Sequence, residues 1–158
     1  MNKNEINKII IVSLCYDYTK VIARTLSENL GMIYCDVKDL IEYELSDVLE
    51  RQDVCSKDYL LKRENLALQE VSSYENVVVA IDFEFYIRSH AMFTDNSVVL
   101  FVELPKKYIV ENGDVVNKIA YQERCEKLKE VVNLSIKVVK TEKDFVCKKI
   151  IQTIGSVL

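Results

Sequence analysis

The chain predicts an α/β fold three layers deep, with a five-stranded parallel sheet between layers of helices. Three observations carry this. Five short runs rich in β-branched residues recur, at residues 8–12, 32–35, 76–81, 97–103 and 134–139. Each run is continuously apolar over most of its length rather than alternating, as in strands covered on both faces. Stretches with helical periodicity separate them, and alternation of this kind builds parallel sheets flanked by helices.

The first helix is predicted over 18–30, where Ile22, Leu26 and Leu30 repeat every four residues beside Ala23, and Gly31 offers a left-handed cap. A second helix is predicted over 37–50. A third, over 57–74, turns Leu60, Leu61, Leu68 and Val71 inward. Pro105 suits the first turn of a further helix that Gly113 breaks, and residues 114–131 resume it. The last helix, 142–156, sets Phe145, Val146, Ile150 and Ile154 toward the sheet. No repeat or linker interrupts residues 1–158, which read as one domain.

Composition narrows the function classes. The chain has 158 residues, enough for a single domain to bury roughly 70% of its unfolded surface. Its net charge is −4 and its basic residues are scattered, so no nucleic-acid footprint is expected. The five cysteines form no CxxC pair and the only histidine is His90, so neither a metal site nor a disulfide frame is expected. The apolar run nearest the start, residues 9–12, is too short for a signal core or membrane span. The expectation is a cytoplasmic protein that binds neither nucleic acid nor membrane.

In sheets of this class, ligands collect at the carboxyl ends of the strands where strand order reverses. The loops to watch are 13–19, 36–39, 82–90 and 104–113. The first sits between a strand and a helix, the context in which G-x-x-x-x-G-K-[ST] cradles phosphates. Its eight positions read Ser13, Leu14, Cys15, Tyr16, Asp17, Tyr18, Thr19 and Lys20, with no glycine among them.

From these residues onward the chain resembles shikimate kinase, a small P-loop kinase. Residues 18–31 follow the family's GKSTVAxxLAxxLG pattern without a gap, matching at Ala23, Arg24, Leu26, Glu28, Leu30 and Gly31. YCDVKDLIE (34–42), NVVVAIDFE (76–84), VVLFVELP (98–105) and RCEKLKEVVNLSIKVVKT (124–141) follow in family order. The resemblance implies a P-loop kinase topology with a shortened lid.

It also implies which functional positions have changed. The two loop glycines fall on Ser13 and Tyr18, the phosphate-binding lysine on Thr19 and the magnesium-binding hydroxyl on Lys20. Glycine serves there because backbone N–H groups must close on the phosphates with no side chain in the way. Tyr18, with Tyr16 and Tyr34 nearby, is expected to fill the vacated space. Lys20 stands one residue late, about 100° around a helix. Asp17 is expected to cap the helix. At about 4 Å from a phosphate, in an effective dielectric near 20, it would oppose that phosphate by roughly 4 kcal/mol.

On the acceptor side Asp36 remains, whereas Lys38 replaces the family's second aspartate and Leu61 its substrate arginine. Glu64 is kept. Asp82, Phe83 and Glu84 replace a triple glycine, Arg124 matches the carboxylate-binding arginine, and no arginine lies between Pro105 and Arg124 to serve as a lid arginine.

The expectation is a shikimate-kinase-like pseudokinase with no catalytic residue and no cofactor, retained to bind a protein partner or a small metabolite. A divergent kinase using ATP and Mg through Lys20 and Asp36 is one alternative. Another is a nucleotide-independent sensor with a pocket formed by Asp36, Lys38, Glu64, Asp82, Glu84 and Arg124. A Cys15–His90 nucleophile is a further arrangement, with Cys15 ahead of a helix N-terminus where thiols are acidified.

Overall fold

Ile9, Ile10, Ile11 and Val12 are all buried, which places the first strand at the centre of the sheet. The computed structural model describes residues 6–46, 57–93, 96–112 and 117–157. Strands β1 (Lys8–Val12), β2 (Ile33–Asp36), β3 (Val77–Ala80), β4 (Ser97–Glu103) and β5 (Leu134–Lys137) form one sheet in the order β2-β3-β1-β4-β5. All neighbouring pairs are parallel, with Ile10 opposite Val79 on one side and Val99 on the other. The chain first builds outward to β2 and back to β3, then crosses to β4 and β5. Strand order therefore reverses beside β1, and the loop after Val12 lies at that reversal.

Seven α-helices connect or flank these strands among the described residues: α1 (Tyr16–Leu30), α2 (Val37–Glu44), α3 (Lys57–Ser73), α4 (Phe83–Ser89), α5 (Lys106–Asn112), α6 (Lys118–Val131) and α7 (Lys143–Val157). α1 packs with α7, α2 with α3, and α4 with α6, covering the sheet in the three-layer arrangement expected of an α/β fold. Gly31 ends α1 at φ 64°, its N–H bonded to the Ser27 carbonyl, as a left-handed cap requires. Asn76 and Asn96 also have positive φ, each one residue before a strand, a conformation that asparagine tolerates better than most residues.

Several sequence expectations are corrected. Burial on both faces holds for β1, β3 and most of β4, but β2 and β5 are edge strands. Ile33 is accordingly 61% exposed, and Ser135 and Lys137 face solvent. Leu61 and Phe145 point outward, and Leu30 lies at the surface. As expected, Leu68 and Val71 of α3 and Val146 and Ile150 of α7 are buried, joined by Ala67 and Cys147, and Leu60 and Ile154 pack partly buried against the core. Helix α2 ends at Glu44; residues 47–50 of its expected span, the break at Gly113, and residues 114–116 lie outside the described residues. Most consequential, the expected loop 82–90 contains helix α4. Asp82 caps it by accepting the Phe85 N–H at 2.8 Å, and Tyr86 buries its ring and donates its hydroxyl to the Val131 carbonyl.

Candidate functional site

Only three residues, Ser13, Leu14 and Cys15, separate the end of β1 from the start of α1. Ser13 and Thr19, the positions of the first glycine and the lysine in the phosphate-loop pattern, are both buried. Their hydroxyl oxygens lie 2.7 Å apart. The Ser13 Oγ also accepts the Cys15 N–H at 3.1 Å, and the Cys15 carbonyl lies 2.8 Å from Ser13 Oγ and 3.3 Å from Thr19 Oγ1. Two hydroxyl protons are thus shared among three short contacts. The Thr19 N–H is bonded to the Cys15 carbonyl at 3.0 Å, so it belongs to the helix ladder. The Ser13 and Thr19 hydroxyls and the Cys15 and Thr19 N–H groups are thus satisfied within the loop.

The aromatic residues of the loop reach neighbouring elements. Tyr18 is buried edge-on against Tyr108 of α5, with ring centroids 5.5 Å apart, and donates its hydroxyl to the Thr141 carbonyl at 2.9 Å. Tyr16 crosses to the next loop and donates its hydroxyl to Asp36. Burial, with the Asp36 carboxylate beside it, pushes the Tyr16 pKa well above its ordinary value.

Asp17 does not cap α1. Cys15 holds that position without a side-chain bond, and Asp17 stands in the first turn, largely in solvent, 3.4 Å from Lys20. Lys20 lies over the Tyr16 ring, 5.5 Å from its centroid. The Cys15 thiol donates to the Asn112 carbonyl on α5 at 3.6 Å, whereas His90 lies beside Tyr86 beyond α4, so the described contacts do not join the two.

The six residues expected to line a ligand pocket are engaged with partners. Asp36 caps α2, accepting the Lys38 and Asp39 N–H groups at 3.0 and 3.2 Å. Lys38 faces Asp82 at 4.0 Å, Arg124 faces Glu84 at 3.8 Å, and Glu64 pairs with Arg88 at 3.0 Å. Burial raises the pKa of Asp82, opposed by the Phe85 N–H and by Lys38. Phe83 and Phe85 stack beneath Arg124 and Arg88 at 4.8 and 5.0 Å. Asp82, Glu84 and Arg124 share a cavity of about 90 Å³ with Ser13 and Tyr16, whereas small-molecule sites usually span about 300–1,000 Å³.

Sequence reasoning missed Arg88. Its spacing three residues after Phe85 becomes informative only once 83–89 is read as a helix. No group of His, Cys, Asp and Glu among the described residues is arranged to hold a metal, and none of their helices is long and apolar enough to cross a membrane.

A parallel sheet in the order 2-3-1-4-5, with a strand–loop–helix at its reversal point, defines the chain as an α/β protein of P-loop kinase topology. More particularly, its fold is that of shikimate kinase. The enzyme from Acinetobacter baumannii, solved in complex with shikimate, superposes with a TM-score of 0.72 at 18% identity, over 96% of this chain and 94% of that one. Shikimate kinase from Aquifex aeolicus gives 0.73 at 16% identity, over 96% and 98%. A gluconokinase from Sinorhizobium meliloti gives 0.63 at 12%, over 96% and 93%. No protein-family model and no curated protein matches the chain. At these identities the likeness is one of fold.

Proposed function

We propose that this chain is a pseudokinase: a shikimate-kinase-like fold that does not transfer phosphoryl groups and is retained as a binding or regulatory protein. The observation that carries this reading is the closed hydrogen-bond set joining Ser13, Thr19 and Cys15. Phosphoryl transfer depends on positioning and charge neutralisation by inward-facing donors, a lysine and a magnesium-binding hydroxyl. The residues present do not fit a magnesium-bound triphosphate. Thr19 brings a neutral hydroxyl where a cation is needed, and Lys20 brings a cation where a metal-binding hydroxyl is needed.

The alternative of a divergent kinase is weakened by the same contacts, since Lys20 is paired with Asp17 and Asp36 is engaged by Tyr16 and two backbone N–H groups. A sensor built on the acceptor-side charges is weakened by their mutual pairing and the small cavity.

Two measurements test the proposal. With shikimate, ATP and magnesium, ADP production is expected to match the no-protein control. Calorimetry with magnesium and ATP is expected to show no binding tighter than about 1 mM, or roughly 4 kcal/mol. Turnover above the control, or micromolar nucleotide affinity, would overturn the reading.

A further inference from the structure

Outside the closed loop, a groove of about 430 Å³ follows the solvent face of α1 and is larger than the acceptor-side cavity. Lys20, Arg24 and Glu28 of α1 line it, with Asp36 and Asp39 from the start of α2 and Lys143 from the start of α7. Both signs of charge are present, and the pairing differs from that in the acceptor-side cavity. Among the described residues, Arg24 and Lys143 have no carboxylate within 4.0 Å, and Glu28 and Asp39 have no cation. Opposite charges that face one shared space without meeting are complementary to a molecule carrying both charges.

A second observation lies beside this space. The Tyr34 hydroxyl is buried and is the one buried side-chain N or O atom among the described residues without a hydrogen-bond partner. Leaving such a group unpaired costs about 1–3 kcal/mol. Its ring lies under the Arg24 guanidinium, 5.2 Å from the centroid. Burial first, and then the Asp36 carboxylate by its charge and as a hydrogen-bond acceptor, push the Tyr34 pKa up to about 12, with Asp39 raising it and Arg24 lowering it. Tyr34 lines the neighbouring cavity over β2, which shares Asp36 and Asp39 with the groove.

We propose that the groove over α1 binds a small zwitterion of the amino-acid class, its carboxylate on Arg24 and its ammonium on Asp39. Lys143 adds positive potential on the α7 side. The site shares only Asp36 with the acceptor-side residues and needs no nucleotide, so it stands apart from the pseudokinase reading.

The experiment titrates the full chain by heteronuclear NMR with glycine, 4-aminobutyrate and 6-aminohexanoate, each to about 10 mM, which detects affinities of millimolar order. Butyrate, butylamine and inorganic phosphate serve as probes of one sign. At least one amino acid is expected to give saturable shifts at the Arg24, Thr25 and Asp39 amides, and to bind more tightly than every single-sign probe. Arg24→Gln and Asp39→Asn are each expected to weaken it about tenfold, or 1.4 kcal/mol. Lys62→Gln, exposed on α3, is expected to leave it unchanged. Both groove positions are exposed, so the variants should fold, and thermal melts check that they do. The proposal is overturned if no amino acid saturates, if phosphate, butyrate or butylamine binds as tightly, or if folded groove variants bind as wild type does.

Discussion

If the hydroxyls of Ser13 and Thr19 hold the loop closed, removing them must cost stability, and the two costs must be coupled. Ser13→Ala deletes an acceptor for the Cys15 N–H as well as the contact with Thr19, leaving a buried donor unpaired. One orphaned donor and one lost hydroxyl contact predict about 2 kcal/mol of destabilisation. Thr19→Val keeps the shape and removes one hydroxyl, predicting about 1 kcal/mol, because Ser13 keeps its bonds to Cys15. The double variant should fall short of the sum by about 0.5–1 kcal/mol, since the 2.7 Å contact is counted in both single variants. Urea denaturation followed by far-UV circular dichroism measures all three. With a slope of about 2 kcal/mol/M, Ser13→Ala should lower the midpoint by about 1 M. Single variants within about 0.3 kcal/mol of wild type, or strict additivity, would refute the claim that these side chains close the loop.

Two more perturbations probe the scaffold around that loop. Burial raises the Asp82 carboxyl above its ordinary value, so between that value and the raised one the folded chain holds the proton more tightly than the unfolded chain does. Stability should therefore decline as pH rises through this window. Asp82→Asn keeps the cap on Phe85 without the charge. Its urea midpoint should match wild type below the window and exceed it at pH 7, whereas a variant that loses ground at pH 7 would mean that the Lys38 pairing outweighs burial. At Gly31 an added Cβ meets nothing within 4 Å, so Gly31→Ala tests the φ of 64° alone. It should cost about 1 kcal/mol, lowering the melting temperature by about 2–4 °C; an unchanged melt would contradict the left-handed cap.

The fold was legible because its strands are unbroken apolar runs. Residues 9–12 and Val77–Ala80 are Val/Ile-rich and buried along their whole length, and their shortness and β-branching favour central parallel strands over buried helix. Helix α4 was not legible. Asp82 and Phe83 stand where the resembling family carries glycines, so a loop was expected. The helix depends on a cap at Asp82 and on burial of Tyr86 beneath α6, and the second of these is a tertiary fact. Leu61 and Phe145 were misassigned for a related reason. Helical spacing marks which residues share a face, but the neighbouring elements decide which residue at its margin is covered. At the site, the residue types were readable one by one, and their pairing was not. Glu64 meets Arg88 across α3 and α4, and Tyr16 reaches Asp36 across two loops; such partners are set by topology rather than by spacing.

The two borders of the sheet are unlike each other, and this bears on how the molecules behave when crowded together. β5 ends on Lys137, an outward charge of the kind that discourages strand-to-strand stacking between molecules. β2 offers Ile33 and half-buried Tyr34 and Cys35 before its first charge at Asp36. Association at high concentration should therefore begin along β2, and a lysine in place of Ile33 is the change that would keep the molecules apart.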